Sequence, residues 1–358
     1  MNFRCAFLLL VLLQSLATMA APVSELSRDE QIVFFPTLGA HVDEGTNWEL
    51  QIAGCVYEPE SRRLTLAALR EALELKHAEM TGAEEATFKQ RARLFLADNE
   101  RGHRVVARIG SRVLDLGKSA PNGHFSGTAR LTEAELDLGG GNLDGRSVGI
   151  MALLKPKDRR TFTGRVLLLE DEGLSVVSDI DDTIKITEVR DHHAMLHNTF
   201  LRQFQPVPGM AEFYQTLARS NRAVFHYVSA SPWQLYTALA EFARSNGFPR
   251  GTFHLKTFRW KDRSLLSLFS DPERYKTAVI EPLLRRFSNR HFILVGDSGE
   301  RDPEIYAALA RKFPQQIERI YLRNVTDEPV DAERYGKTFG GLPAQLWTVF
   351  REPPARSK

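Results

Sequence analysis

From Leu174 onward the chain alternates short apolar runs with segments of helical period, and this alternation constrains its fold more than any other feature. The runs "LSVVS" (174–178), "AVFHYVS" (223–229), "TFHLKTF" (252–258), "HFILVG" (291–296) and "ERIYLRN" (318–324) read as buried strands. Between them lie "MAEFYQTLARS", "QLYTALAEFARSNG", "YKTAVIEPLLRRF" and "PEIYAALARKF", each with apolar residues at helical spacing. Gly247 and Pro249 close the second of these helices. Strands covered on both faces by helices are apolar almost throughout, so residues 171–350 are predicted to form an α/β domain on a parallel sheet.

Residues 30–170 follow another grammar. "IVFFP", "WELQIAGCVYE", "RVVARIG", "RVLDLG", "HFSGTARL", "SVGIMALL" and "TFTGRVLLLE" have strand length, and Gly, Asn and Pro punctuate them. They predict a mostly β, sandwich-like N-terminal domain. A helical pair interrupts it over residues 62–98, where "RRLTLAALREALEL" and "EEATFKQRARLFLA" carry helical spacing and no turn signal. Gly139 to Gly141 lack the Gly-Lys-Ser/Thr that completes a phosphate loop and read as a turn.

The first residues, "MNFRCAFLLLVLLQSLATMA", join one Arg to a short apolar core and a small-residue end, the pattern of a signal peptide over residues 1–21. A retained membrane anchor is the other reading; against it, the apolar run is short and breaks at Gln14 and Ser15. Cys5 precedes that run, where a lipid-attachment cysteine would not lie. Once Cys5 is removed Cys55 is the only cysteine, so a periplasmic or secreted protein would fold without an internal disulfide and hold Cys55 in a core. With 47 Lys and Arg against 45 Asp and Glu, the charge is too even to suggest nucleic acid as a partner.

The octapeptide "SDIDDTIK" (178–185) crowds three carboxylates into four positions directly after an apolar strand. Repulsion and poor propensity argue against a packing role there. Open α/β sheets bind ligands at the carboxyl edge of their strands, so the residues just past each strand are the candidates. The first strand delivers Asp179, Asp181 and Thr183, the second Ser229, the fourth Asp297 and then Asp302, and a helix supplies Lys276. Acids, a hydroxyl and a lysine suit phosphoryl transfer to a carboxylate, with Mg²⁺ held by carboxylates and the phosphate itself. Asp179 is the expected nucleophile and would form an aspartyl-phosphate. Asp181 would act as general acid and then base. Ser229 and Lys276 would hold the phosphoryl oxygens, Asp297 would ligate Mg²⁺ beside Asp179, and Asp302 would orient that shell.

In order along the chain, Asp179-Ile-Asp181-Asp182-Thr183, Ser229, Lys276, and Gly296-Asp297 followed by Asp302 resemble the four motifs of haloacid dehalogenase superfamily phosphatases. The fuller strings "LSVVSDIDDTIKITEV", "YVSASPW", "FHLKTFRWKD" and "FILVGDSGERDPEIY" resemble the catalytic domain of the actin-patch-protein phosphatidate phosphatase family, over roughly residues 170–325. "VFFPTLG", "GCVYEP" and "NGHFSG" are similar to the β domain that precedes it in bacterial members. The resemblance implies a three-layer α/β fold with a short cap, Mg²⁺ dependence, and release of phosphate from phosphatidate to leave diacylglycerol. It also implies that Asp181 joins Asp179, Asp297 and Asp302 around the metal, through its backbone carbonyl. Tyr275 stands before Lys276 where the family often has His, and export sets this chain apart from the best-known members, which act inside eukaryotic cells.

Other readings stay open. Asp302 also suits an N-cap for the helix that begins at Pro303. "VSASPW" lacks the glycines that a serine-hydrolase elbow needs. His193 and His197, at i, i+4 beside His192, fit a zinc site or a cap face over the active site. "FRWKDR" (258–263) fits an anionic lipid surface or a solvated edge. The cap, Thr187 to Val207, is too short to enclose a nucleotide, which leaves the site open to bulky substrates or a membrane surface. The rival functions are a phosphatase for soluble or protein phosphate esters and a non-catalytic periplasmic binding module.

Overall fold

The computed structural model describes residues 22–42, 47–59, 66–75, 80–138, 143–257 and 272–354. The signal-peptide segment, Gly139 to Gly141 and the "FRWKDR" stretch lie outside the described residues. Among the described residues no helix is long and apolar enough to cross a membrane.

The first half contains β1 (Gln31–Phe35), β2 (Thr37–Val42), β3 (Asn47–Glu58), α1 (Leu66–Ala72), α2 (Gly82–Leu96), β4 (Asp98–Asn99), β5 (Arg104–Ile109), β6 (Arg112–Lys118), β7 (His124–Leu131), α3 (Glu133–Leu136), β8 (Ser147–Ala152) and β9 (Thr163–Leu169). Its strands form a mixed sheet in the order β1-β3-β2-β9-β8-β5-β6, with β4 and β7 also paired to β3. The twelve residues of β3 are long enough to pair with β1 and β2 along one edge and with β7 and β4 along the other. β7 in turn runs beside β6, where Gly127 faces Leu116. The mostly β character is therefore as expected, but it takes the form of one hydrogen-bonded sheet curling back on itself. Its interior is filled by Trp48, Leu50, Ile52, Val105, Ile109, Ile150, Val166 and neighbours. The helical pair is α1 and α2, and Thr81 opens α2 with a reciprocal capping box to Glu84. Cys55 is a buried thiol, and burial pushes its pKa up.

The second half contains β10 (Leu174–Ser178), α4 (His192–Phe200), α5 (Met210–Ser220), β11 (Val224–Pro232), α6 (Tyr236–Ser245), β12 (Gly251–Lys256), α7 (Pro272–Arg286), β13 (His291–Asp297), α8 (Asp302–Lys312), β14 (Ile317–Arg323), α9 (Glu333–Phe339) and β15 (Trp347–Phe350). All six strands are parallel, in the order β12-β11-β10-β13-β14-β15. The four inner strands and β12 coincide with the apolar runs; β15, a four-residue edge strand, was not anticipated.

Residues alternate between the two faces of this sheet. Leu174, Val176, Phe225, Ile293 and Val295 pack with α4, α5 and α6, and also with Leu69, Phe88, Ala92 and Phe95 of the inserted helical pair. Val177, Val224, Val228 and Leu294 pack on the other side with α7 and α8, joined there by Leu38, Ala40, Leu167 and Leu169 from β2 and β9. The latter contact explains the unbroken run "VLLL": Val166 and Leu168 serve the interior of the curled sheet while Leu167 and Leu169 serve the α/β half.

Candidate active site

β10 lies between β11 and β13, and the chain leaves it towards β11 while returning beside it as β13. That reversal opens a crevice at the carboxyl ends of β10 and β13. The acids quoted above converge in it.

Asp179 follows β10 directly, and its amide N–H donates to the carbonyl of Val295 at 2.8 Å, which fixes it against β13. Thr183, one turn later, donates its hydroxyl to Asp179 Oδ2 at 2.9 Å. Lys276, projecting from α7, sits 2.8 Å from Asp179 Oδ1, 2.5 Å from Asp302 Oδ1 and 2.9 Å from Glu300 Oε2. One carboxylate oxygen from each of Asp179, Asp297 and Asp302 lies within 4.8 Å of the others, and all three residues are buried. The two acids from distant parts of the chain are thus brought together with the lysine, as the sequence reading requires.

The local sequence builds this closeness. A Cβ at Gly296 would lie 2.2 Å from Asp302 Oδ2 and 2.8 Å from its Cγ, so only glycine at the end of β13 lets Asp302 approach. Asp302 is the first residue of α8 and does not cap it; Arg301 holds the N-cap position, and the Asp302 carboxylate turns instead to Lys276 and the amide of Asp297. Asp297 Oδ1 accepts the Gly299 and Glu300 amides, whereas its Oδ2 is buried and has no hydrogen-bond partner among the described residues.

Burial pushes the Asp179 carboxyl well above the usual carboxylate range, even against the Lys276 ammonium. Burial and then Asp302 do the same to Asp297, and burial raises Glu300. Burial lowers the Lys276 pKa, but Asp179, Asp302 and Glu300 outweigh it and hold the group well above the ordinary lysine value. Three carboxyl groups thus share one ammonium, and beside them the buried Asp297 Oδ2 has no partner among the described residues. An all-oxygen donor set around a buried, under-neutralised centre fits a hard divalent cation. The acidic cluster of Asp179, Asp297 and Asp302 could hold such an ion.

Asp181 stands apart from that cluster. Its Oδ2 accepts the hydroxyls of Ser229 and Ser231 at 2.8 and 2.9 Å. Its Oδ1 accepts the Thr187 hydroxyl at 2.9 Å and pairs with Lys185 at 2.9 Å. Burial would raise its pKa, but the Lys185 charge and these donors overcome it and hold the group at about 2. Ser229 therefore serves Asp181 here rather than an open anion pocket. Asp182 carries the turn: at φ +56° it takes a left-handed conformation rare for a non-glycine residue. Its carboxylate repays the strain by accepting the amides of Thr187, Glu188 and Val189. Arg323 donates to the Asp182 carbonyl at 2.7 Å.

Sequence reading missed Glu300, Lys185, Ser231 and Asp182. Lys185 and Asp182 stood inside the quoted octapeptide, and Ser231 two positions beyond Ser229; their signal was proximity to a motif. The histidine trio behaves differently from a metal centre. The His193 and His197 rings lie 4.1 Å apart on α4, and His192 approaches Glu74 at 3.9 Å. No third ligand completes a cluster with them among the described residues.

Comparison with known proteins falls on the α/β half. The family model described as "Phosphatidate phosphatase APP1, catalytic domain" matches residues 174–324. Phosphatidate phosphatase APP1 of Saccharomyces cerevisiae is 38% identical over 154 residues, which cover 42% of this chain and 26% of that protein. An uncharacterized protein of Schizosaccharomyces pombe is 30% identical over 173 residues, covering 47% of this chain and 28% of its own length. The matched stretch is thus little more than a quarter of each relative. A solved structure of Parabacteroides merdae β-glucuronidase aligns at 9% identity over 82% of this chain and 40% of that one, with a TM-score of 0.28, too low to bear on the fold.

Proposed function

We propose, taking the APP1-like catalytic domain of residues 174–324 as premise, that this chain hydrolyses a lipid phosphomonoester, phosphatidate or a close relative, releasing phosphate. The observation that carries the reading is the convergence of Asp179, Asp297 and Asp302 on one buried point beside the Lys276 ammonium. In this reading the parallel sheet is of the haloacid dehalogenase kind, supported by a central β10 that ends in the acid turn.

Asp179 is the nucleophile: Thr183 holds its Oδ2, which orients Oδ1 and Lys276 towards an incoming phosphorus. Attack by Oδ1 forms the aspartyl-phosphate and expels the alkoxide; water then attacks the phosphorus and frees Asp179. Lys276 neutralises charge on the phosphoryl oxygens. Asp179 and Asp297, with Asp302 behind them and the Asp181 backbone carbonyl, would hold Mg²⁺, whose role when bound is to offset phosphoryl charge. Asp181, kept ionised by its four donors, is ready to take the proton of the attacking water. To protonate the leaving alkoxide it must first take a proton from solvent, and a phosphoryl group that draws Ser229 to itself removes one of the donors opposing that gain. We place the protein outside the cytoplasmic membrane, on the signal-peptide character of residues 1–21.

The test is phosphate release from phosphatidate vesicles and from soluble monoesters, with Mg²⁺ and with chelator, for wild type and Asp179→Asn. Mg²⁺-dependent release from phosphatidate that Asp179→Asn abolishes is expected. Full activity in Asp179→Asn ends the nucleophile assignment, and equal turnover of every ester argues against a dedicated lipid substrate.

A further inference from the structure

The strongest unassigned connection leads from the inserted helix α2, outside the matched stretch, to Asp181. We infer that Arg91 on α2 is a positioning residue for Asp181, acting through Phe204 and Lys185; the inference rests on the acid/base role proposed for Asp181.

Arg91 is only 7% exposed although it carries a charge. Its Nη1 donates to the carbonyls of Thr199 at 2.5 Å and Asn198 at 3.3 Å, at the negative end of α4. The guanidinium carbon lies 3.7 Å from the centre of the Phe204 ring. The Lys185 ammonium lies 4.9 Å from the same centre, so one ring is shared by two cations. Lys185 is itself fully buried, and its partners are Asp181 and the Thr187 hydroxyl, which also bonds Asp181.

The backbone runs in parallel with this side-chain chain. The Ile186 amide donates to the Gln205 carbonyl and the Val207 amide to the Ile184 carbonyl, so the segment carrying Phe204 is stitched to the segment carrying Lys185. Gln203 reaches back to Thr87 of α2 at 3.1 Å. Whatever fixes residues 198–207 therefore fixes the Lys185 side chain. Lys185 in turn sets which way Asp181 faces. A catalytic carboxylate must be held to within about 0.5 Å, and a helix supplied from elsewhere in the chain does this more rigidly than the turn alone. The β-rich half thereby contributes to the site without touching substrate.

The experiment uses the full chain and phosphatidate in phosphatidylcholine vesicles, with Arg91→Met, Arg91→Lys, Phe204→Leu and the Arg91→Met/Phe204→Leu double variant. Arg91→Met is expected to lower kcat about tenfold at unchanged KM, since it loosens a reacting group and no substrate contact. Arg91→Lys restores most of that loss. The double variant is no slower than its slower parent, because both substitutions cut one path. In hydrogen exchange, Arg91→Met should speed the amides of Thr187, Glu188 and Val189 about tenfold while those of Val176 and Val295 keep wild-type rates. Losses that multiply in the double variant, a rise in KM at constant kcat, or unchanged exchange at residues 187–189 overturn the inference. If wild type releases phosphate from no ester, the proposed function falls, and the exchange measurement alone then decides whether Arg91 braces the turn. If Arg91→Met does not fold, Arg91→Lys and Phe204→Leu carry the same comparisons.

Discussion

Arg290 offers a direct measure of how the two sheets are joined. It is fully buried, on the turn before β13, and its guanidinium makes six hydrogen bonds: two to Asp144, three to the carbonyls of Glu170, Glu172 and Leu174, and one to the Ser175 hydroxyl. Two of the carbonyls belong to the connector between β9 and β10, that of Leu174 opens β10, and Asp144 precedes β8, so a single side chain clasps the junction from both halves. Arg290→Met keeps the stem and much of the volume but removes every donor. Deleting one partner of a buried ion pair costs about 3–5 kcal/mol, and each unsatisfied carbonyl about 1–3. Because Asp144 is partly exposed and water can reach it and the freed Glu170 and Glu172 carbonyls, the loss falls below that sum, and we expect about 4 kcal/mol. Arg290→Lys replaces one or two of the six donors and should recover less than half. Urea unfolding followed by tryptophan fluorescence gives the number, since Trp48 reports on the curled sheet, Trp347 on the α/β half and Trp233 on the contact between them. A loss below about 1 kcal/mol would refute the claim that this clasp joins the halves.

Gly296→Ala should reduce kcat/KM about 100-fold with the fold retained, because the new Cβ forces Asp302 away by roughly 1 Å; near-normal turnover would remove Asp302 from the site. Mg²⁺ should raise the melting temperature of wild type, by an amount equivalent to about 2.7 kcal/mol at a hundredfold excess over its Kd, and Asp297→Asn should lose that gain while melting higher than wild type in chelator. Acid should destabilise the protein through its buried imidazoles. Burial holds His226 well below the ordinary histidine value and His254 at about 4. Both rings are neutral at pH 7; as pH falls below about 6.5 the unfolded chain takes up protons that the folded chain refuses, so stability present above 6.5 is lost, by roughly 2 kcal/mol for His254 at pH 5, with a further loss from His226. Urea midpoints at pH 7.5 and pH 5 measure this, and His226→Gln should flatten the difference.

The parts of this fold legible in the sequence are those whose cause is local. A strand buried on both faces is apolar wherever its partners come from, so β10, β11 and β13 stood out; β14 and the edge strand β12 are only partly buried but long enough to keep a strand pattern, whereas β15 has four residues, three of them half-buried, and leaves almost none. The approach of Asp179 and Asp297 could be read because both lie where strands of such a sheet end, at the edge where ligands bind, whereas Lys276 comes from a helix and was picked out by its place in the order of motifs. The same logic fails for charges whose partner is set by rotamer and packing. Nothing in "SDIDDTIK" says that its lysine folds back onto its second aspartate, since that depends on Phe204 closing over it. The curl of the first sheet was equally hidden: β3 reads as one long strand, and only its four pairings bend the layer back on itself. The helical pair was read correctly as a helical interruption of the strands, but what it packs against was not legible. Its apolar residues complete the core over β10 and its arginine reaches the segment beside Asp181, so the strand-like pattern on either side breaks where the chain crosses to serve the other sheet.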